Sequence, residues 1–293
     1  MTNLNYQKST TQTRLVRMNP ITLERIIKQA LEEDLGMGDW SSQWLFDGLS
    51  QKSGRFVAKQ SGIFVGRHIL EQVYALLGGR VEIIWSVEDG QPFEEGAIIA
   101  KVNGPVGTLL SGERVILNLL QHLAGIASST YELIQRLDDP TIKVADTRKT
   151  LPGLRMMQKY AVRCGGGFNH RLRLDDGVMI KDNHIVAAGS ISRAVELIRK
   201  QQGHMIKIEV EVETLDQVQE AVHAKVDVIM LDNQAPDQVR ELRAHIPKSI
   251  IVELSGGINP NNIASYKGCG ADVISVGWIT HSVNACDISF YLD

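Results

Sequence analysis

The chain has 293 residues, of which 43% are apolar and 22% charged, with 31 Lys and Arg against 34 Asp and Glu. This length corresponds to about two domains of roughly 150 residues, enough for a substantial core. The composition excludes a disordered, collagen-like or disulfide-dense chain. The longest stretch without a charged residue, 115–131, contains several polar residues and is shorter than the ~20 apolar residues of a bilayer span. We therefore expect a soluble protein without a membrane span.

The cysteines and the N-terminus carry little functional signal. Cys164, Cys269 and Cys286 form an odd set without a CxxC motif, and no apolar signal core is present. Reduced thiols in a cytoplasmic protein are the expectation. Residues 1–18 lack acids and are rich in Ser and Thr, so we interpret them as a flexible tail; a transit peptide is the alternative, and Met18 is a second candidate start.

The first 125 residues predict a small α+β domain. Asn19-Pro20 opens an amphipathic stretch that ends near Gly36, which is typical of a capped helix. Short apolar stretches separated by glycines between 53 and 107 predict strands with a helix near 68–78. Residues 109–137 return to helical spacing.

The second half of the chain alternates strands with helices. This alternation indicates parallel strands joined by helical crossovers. Six or seven such units without a GxGxxG or GxxxxGK[ST] motif favour a closed barrel over an open, doubly wound sheet. The predicted strands are Ile142–Thr147, Val178–Asn183, Ile206–Glu213, Val226–Asn233, Ser249–Ser255 and Ala271–Gly277, and the predicted helices are Ser190–Lys200, Leu215–Ala224 and Pro236–Ala244.

The segment from Thr147 to Arg173 concentrates positive charge. It contains seven Lys and Arg residues and no acid, and since the whole chain sums to −3, the rest of it sums to −10. This local charge predicts an anionic partner. A solvated basic face and a nucleic-acid surface are the alternatives. Few aromatic residues interleave the cations, and Pro152-Gly153 interrupts any continuous basic helix, which disfavours nucleic acid.

The stretch Lys207–Glu213 alternates strictly between charged and apolar residues. Its apolar residues share one face of the predicted strand, and its lysine and three glutamates share the other. In a barrel wrapped by helices the apolar face turns outward, so the carboxylates inside need cations, a metal or a ligand. A solvated edge strand is the alternative. Lys181 and Asp232 also lie in apolar runs, which favours the barrel.

Charged residues and glycines follow the predicted strands at the ends where a barrel carries its active site. The glycines of Ser255-Gly256-Gly257 and Gly277 allow backbone N–H groups to approach a phosphate. Cations and carboxylates at one edge predict a phosphorylated, multiply anionic substrate with a divalent metal. The strand-end residues are Arg148, Lys149, Lys181, Glu211, Asp232, Ser255 and Gly277.

Three motifs within 146–184 carry a family resemblance. They are Asp146-Thr-Arg-Lys-Thr-Leu-Pro-Gly-Leu-Arg155, Lys159-Tyr-Ala-Val-Arg-Cys-Gly-Gly-Gly-Phe-Asn-His-Arg171 and Asp176-Gly-Val-Met-Ile-Lys-Asp-Asn-His184. These motifs closely resemble the quinolinate phosphoribosyltransferases, a type II phosphoribosyltransferase family also called nicotinate-nucleotide pyrophosphorylase (carboxylating). Supporting matches extend the resemblance over about residues 20–290.

The resemblance implies an α/β fold with two domains in a homodimer. An N-terminal open-faced α/β sandwich would span 19–125 and be completed by 282–293, and an incomplete, TIM-like parallel α/β barrel of six to seven strands would span 126–281. The implied enzyme is a pentosyltransferase of NAD biosynthesis. It joins quinolinate to phosphoribosyl pyrophosphate with Mg²⁺, giving nicotinate mononucleotide, pyrophosphate and CO₂.

The resemblance also implies residue roles. Arg148, His170, Arg171 and Lys181 match the pocket for the quinolinate carboxylates, to which the partner subunit adds Arg114. Lys149 matches a phosphoribosyl or pyrophosphate contact, and Glu211 and Asp232 match the acids that face the ribose and its metal. We expect Lys149, Lys181, Glu211 and Asp232 to be the catalytic set. Ser255, Gly256, Gly257 and Gly277 match the 5′-phosphate cradle.

Two other functions stay open at this point. A related phosphoribosyltransferase for a monocarboxylate is disfavoured, since one carboxylate does not need five cationic groups. A non-enzymatic polyanion-binding protein is disfavoured by the acidic strand beside the basic segment, which would repel a phosphate backbone. Trp40 and Arg173 depart from the family pattern, and Arg173 is expected to add a cation at the pocket mouth.

Overall fold

The computed structural model describes residues 17–48, 50–78 and 80–293. The tail predicted for 1–18 therefore falls almost entirely outside the described residues. Internal contacts divide the described chain into two units. The first comprises residues up to Ser129 with Pro152–Gly166 and Val283–Asp293, and the second comprises Thr130–Leu151 and Gly167–Ser282.

Helices and strands follow one another along the described chain with short connections. The helices are α1 Pro20–Leu35, α2 Trp40–Leu45, α3 Arg67–Leu76, α4 Val106–Leu137, α5 Arg155–Cys164, α6 Asp182–Ala188, α7 Ile191–Arg199, α8 Leu215–His223, α9 Pro236–Arg243 and α10 Trp278–His281, with a 3₁₀ turn at Ile263–Tyr266. The strands are β1 Gln51–Ala58, β2 Gly62–Ile63, β3 Glu82–Trp85, β4 Pro92–Phe93, β5 Ile98–Pro105, β6 Lys143–Ala145, β7 Val178–Ile180, β8 Ile208–Val212, β9 Val228–Asp232, β10 Ile251–Ser255, β11 Val273–Ser275 and β12 Ile288–Leu292.

The first unit contains a four-stranded antiparallel sheet in the order β12-β1-β5-β3. The C-terminal strand β12 pairs with β1, and the rings of Phe56 and Phe290 pack 4.9 Å apart between the two strands. Helix α1 begins where the side chain of Asn19 accepts hydrogen bonds from the next residues, and it ends at Gly36 with a positive φ of 53°. The capped helix of the sequence prediction is therefore confirmed.

Helix α5 groups with the first unit, although the sequence placed 152–166 within the barrel segment 126–281. Two polar contacts fix it there. The amide of Gln158 lies 2.7 Å from the ring of His122, and the hydroxyl of Tyr160 donates to Asp89 at 2.7 Å. Because these partners are distant in sequence, the spacing of residues did not indicate that α5 belongs to the first unit.

The second unit contains six parallel strands in the order β6-β11-β10-β9-β8-β7. This sheet and the helices between its strands confirm the predicted α/β class. Phe168 makes one parallel bridge to Ala145 of β6, so the chain continues the sheet briefly beyond its edge strand. Strand β7 is shorter than predicted, because α6 begins at Asp182, directly after Lys181.

The strand β8 has the two faces that its alternation predicts. Ile208, Val210 and Val212 are almost fully buried, and α8 packs against this strand. Glu209 and Glu211 lie on the opposite face. There Glu209 lies 3.1 Å from the ring of His170, and Glu211 accepts from the ammonium of Lys181. The prediction of outward apolar and inward acidic faces is confirmed, and the edge-strand alternative is wrong. No helix of the described residues is long and apolar enough to cross a membrane.

Candidate active site

Eleven of the twelve predicted site residues lie at the carboxyl-terminal edge of the parallel sheet, within the second unit. The loop after β6 carries Arg148 and Lys149, and the segment before β7 carries His170 and Arg171. The ends of β7 to β11 supply Lys181, Glu211, Asp232, Ser255, Gly256, Gly257 and Gly277. This is the edge at which parallel α/β barrels bind substrate.

Two arginines lie side by side at this edge. Partial burial, and then the charge of Arg148, lower the pKa of the Arg171 guanidinium, while Glu209 and Asp176 act in the opposite direction. Arg171 is held in place because its Nη1 donates to the carbonyl of Gly177 at 2.8 Å. Two neighbouring, partly dehydrated cations repel each other, so an anion that contacts both relieves the repulsion.

The peptide segment that carries His170 and Arg171 is anchored by a buried carboxylate. Asp146 is fully buried at the end of β6, accepts from the His170 backbone N–H at 2.9 Å, and accepts from the Asn169 amide at 2.6 Å. The His170 ring points toward Glu209 and Glu253, at 3.1 and 3.4 Å. Both of these contacts are made by Nε2, and Nδ1 accepts from the backbone N–H of Arg171 at 2.8 Å.

Sequence reasoning missed Glu253 and Asp146 as parts of this site. Glu253 is 5% exposed in the middle of β10, and the serine hydroxyl of Ser275 donates to it. A glutamate inside the apolar run Ile251–Leu254 is the same kind of signal that drew attention to Lys181 and Asp232. The contact with His170 was not foreseeable, because 83 positions separate the two residues in the chain.

The lysine and the acids expected to act on the ribose are close together. The Lys181 ammonium donates to Glu211, whose side chain is only 16% exposed, whereas that of Lys181 is 45% exposed. Burial, and then the charge of Glu211, raise the pKa of Asp232, and the nearby Lys181 and Lys149 act in the opposite direction. Glu211 and Asp232 thus present oxygen ligands of the kind that Mg²⁺ prefers.

The Ser255–Gly257 loop and Gly277 form the glycine-rich part of the edge. At Gly256, with a φ of 95°, a Cβ atom would lie 2.2 Å from Oδ1 of Asn233. At Gly277 a Cβ atom would lie 2.9 Å from Cδ of Lys149, so any larger residue there would displace the lysine side chain. The Lys149 carbonyl accepts from the hydroxyl of Thr280 at 2.8 Å, which ties the β6 loop to α10.

Arg114 belongs to the first unit, in α4. Its side chain is 58% exposed, and its ionic neighbour is the adjacent Glu113 at 4.0 Å. Arg173 forms an exposed ion pair with Asp175 at 3.0 Å. Its expected place as an additional cation at the pocket mouth stays a prediction.

The structure belongs to the class of α/β barrels with an anion-binding site made of several parts. Its parallel sheet carries paired arginines, two acids and a glycine-rich loop at one edge. Family models agree with this class and are more specific. Residues 39–124 match the N-terminal domain of quinolinate phosphoribosyl transferase, and residues 126–291 match its C-terminal domain. The chain belongs to the quinolinate phosphoribosyltransferase family.

Individual relatives cover nearly the whole chain. It is 49% identical to a probable nicotinate-nucleotide pyrophosphorylase [carboxylating] of Bacillus subtilis, over 93% of this chain and 94% of the relative. It is 35% identical to the human nicotinate-nucleotide pyrophosphorylase [carboxylating], over 93% and 92% of the two chains. The crystal structure of NadC from Streptococcus pyogenes superposes with a TM-score of 0.92 at 39% identity, covering 95% of this chain and 99% of that one.

Proposed function

We propose that this protein transfers phosphoribosyl from phosphoribosyl pyrophosphate to quinolinate and releases CO₂, giving nicotinate mononucleotide and pyrophosphate for NAD biosynthesis. The names of its relatives support this reaction. The observation that carries the proposal is the arginine pair Arg148 and Arg171, two cations held together at the edge of the barrel. A pyridine dicarboxylate supplies two negative groups to match them.

Quinolinate binds in the proposed pocket through charge-assisted hydrogen bonds. Arg148 and Arg171 contact its carboxylates, and their planar guanidinium groups suit bidentate contact. Lys181 adds a third cation from the end of β7. His170 supports the pocket wall, since its ring is held by Glu209 and Glu253. A monocarboxylate such as nicotinate leaves part of this charge unmatched and binds more weakly.

The acids Glu211 and Asp232 face the sugar. As the bond from the ribose carbon to pyrophosphate breaks, positive charge develops on the ring, and nearby carboxylates stabilise it. Lys181 holds Glu211 in position through their ion pair. The ring nitrogen of quinolinate then attacks the sugar carbon. The positive charge of the new pyridinium nitrogen stabilises the carbanion left by loss of CO₂, which then takes a proton from water to give nicotinate mononucleotide. No step removes a proton from the substrate, so no general base is required.

The phosphate groups are bound by glycines and Lys149. Backbone N–H groups of Ser255–Gly257 and Gly277 surround the 5′-phosphate, and Lys149 contacts the pyrophosphate. We propose Mg²⁺ as the metal, since the oxygen ligands of Glu211 and Asp232 fit a hard cation. When bound, Mg²⁺ neutralises charge on the departing pyrophosphate.

We propose a homodimer in which Arg114 completes the quinolinate pocket of the partner subunit. The exposure of this side chain supports a role outside its own helix. The first unit also exposes an apolar patch in which Trp40 and Trp44 stack with ring centroids 5.4 Å apart. Exposed apolar patches of this kind mark interaction sites, which supports association of two copies.

The proposed location is the cytoplasm. All three cysteines are unpaired and buried, which suits a reducing compartment. We propose no nucleic-acid partner, because Glu211 and Asp232 lie among the cations of the barrel edge and repel a phosphate backbone.

The direct test is catalysis by the purified protein. With Mg²⁺, phosphoribosyl pyrophosphate and carboxyl-labelled quinolinate, the expected result is release of labelled CO₂ together with nicotinate mononucleotide. Nicotinate is the matched substrate control, and it should react far more slowly. Comparable kcat/KM values for the two acids would contradict the proposed dicarboxylate pocket. Retention of RNA with a steep salt dependence, in the absence of any CO₂ release, would instead support a polyanion-binding protein.

A further inference from the structure

Three buried polar residues on the inner face of the barrel have no part in the reaction just described. Glu209, Glu253 and Ser275 are 7%, 5% and 2% exposed. The two glutamates share His170 as a neighbour, since its Nε2 lies 3.1 Å from Oε2 of Glu209 and 3.4 Å from Oε1 of Glu253. The Ser275 hydroxyl donates to Glu253. Carboxylates this deeply buried need a stabilising partner.

A metal ion is one partner that could join this cluster. His170, Glu209 and Glu253 offer ligand atoms within 4.8 Å of one another, and candidate ligands at such distances can hold an ion. The hydrogen bonds of the histidine decide against it. Nδ1 of His170 accepts from the backbone N–H of Arg171 at 2.8 Å, so in the neutral ring Nε2 carries the proton. A protonated Nε2 donates to carboxylates and cannot coordinate a metal.

The two buried carboxyl groups lie close enough to affect each other's charge, since their ligand atoms are within 4.8 Å. Oε1 of Glu209 is buried and, among the described residues, lacks a hydrogen-bond partner. Burial, and then the charge of Glu209, raise the pKa of Glu253 to about 7; Asp146 acts in the same direction, and His170 and Ser275 oppose it. Two like charges this close favour sharing one proton.

The cluster is connected to the substrate pocket through the His170 ring. Its Nε2 side rests on the two glutamates, and its Nδ1 side holds the peptide N–H of Arg171. Arg171 in turn carries the guanidinium that lies beside Arg148. A ring that tilts away from the glutamates therefore moves the backbone from which a substrate-binding arginine extends.

We propose that Glu253 is a positioning residue: with Glu209 it fixes the His170 ring, and through that ring it sets the position of Arg171 for the substrate carboxylate. Glu253 itself contacts no substrate. This inference rests on the proposed function in one respect only, namely that Arg171 binds a carboxylate of quinolinate.

The test compares Glu253→Leu with Glu253→Gln in the full-length protein. The leucine removes one of the two carboxyl groups beside Nε2–H and leaves Glu209 as the remaining acceptor. The His170 ring is then held less firmly, so KM for quinolinate should rise by up to about tenfold, the effect of weakening one buried hydrogen-bonded contact. The kcat and the KM for phosphoribosyl pyrophosphate should change far less. The glutamine keeps a neutral acceptor and resembles the protonated acid, so it should restore the KM for quinolinate. Asp272→Asn is the matched control, because Oδ2 of Asp272 accepts from the Val252 backbone N–H of the same strand, and no contact joins it to His170 among the described residues.

Kinetics, NMR and metal binding together decide the proposal. A selective rise in KM with Leu and its rescue by Gln supports it, and equal changes in both KM values or in kcat overturn it. NMR of the histidine ring nitrogens in labelled protein reports the His170 tautomer without any substrate. A proton on Nε2 in the wild type supports the proposal, and a proton on Nδ1 overturns it. Binding of one Zn²⁺ per chain that is lost in Glu253→Gln would establish the metal site instead. Absence of turnover in the wild type refutes the proposed function and leaves the NMR result valid.

Discussion

Replacement of Glu253 by glutamine should change how the stability of the protein depends on pH. The side chain is 5% exposed, and burial with the neighbouring Glu209 raises its pKa from 4.5 to about 7. The native state therefore binds the proton more tightly than the unfolded state does. The resulting stabilisation is fully present below the unfolded pKa, and it is lost as the pH rises through the native pKa.

The size of the effect follows from the same pKa values. A shift from 4.5 to about 7 corresponds to a loss of free energy of unfolding on the order of 3 kcal/mol between acid and neutral pH. Glutamine has nearly the same shape and no charge to bury, so the free energy of unfolding of the variant does not fall between acid and neutral pH on account of residue 253. We expect the two proteins to be similarly stable near about pH 4, below the unfolded pKa, and the glutamine variant to be the more stable by about pH 8.

Urea unfolding of both proteins over this range, at matched protein concentration, measures the difference directly. The measured quantity is the difference in free energy of unfolding between the two proteins. All other titrating groups, including Glu209, His170 and Asp146 around the site, are present in both. A stability difference that stays constant with pH would refute the reasoning, because Glu253 would then not be the group that holds the proton.

Three further predictions concern the site. Arg171→Ala should weaken quinolinate binding by about 1.5–3 kcal/mol and binding of phosphoribosyl pyrophosphate far less, and calorimetry that finds equal losses would contradict this role. Gly256→Ala should abolish binding of phosphoribosyl pyrophosphate, since its Cβ would collide with Asn233. Gly257→Ala meets no atom within 4 Å and is strained only by its φ of 64°, so it should lose less affinity. Equal affinities of the two variants in calorimetry would argue against the glycine cradle. If Arg114 serves the partner's pocket, refolding an equimolar mixture of inactive Arg114→Ala and Lys181→Ala proteins should recover about a quarter of wild-type activity, because half the dimers are mixed and each has one intact site. Mixed dimers of tagged subunits without activity would exclude this sharing.

The sequence predicted the parts of the molecule that follow from local pattern. Strict alternation in 207–213 indicated which face of β8 would be buried, and the Asn19-Pro20 cap indicated where α1 begins. Both features depend on residues close in the chain. The motifs from Asp146 to His184 were long enough to indicate the family before any contact was known.

The remaining features depend on contacts between distant residues. The place of α5 in the first unit is set by Gln158 and Tyr160, whose partners precede them by 36 and 71 positions. The ion pair of Arg173 with Asp175 is a local contact that a count of charges does not include. Charge counting treats each cation alike and cannot identify which of them have an acidic neighbour.

The acidic inner face of the barrel and its basic edge depend on each other. A site that binds a dicarboxylate needs several cations together, and their mutual repulsion destabilises the protein before substrate arrives. Glu211 offsets the charge of Lys181 directly, and Glu209 acts on Arg171 in the same sense. A proton on Glu253 then limits the negative charge that must be buried beneath them. The strand 207–213 therefore allows the cations to remain close together, and a neutral strand in its place would leave them uncompensated.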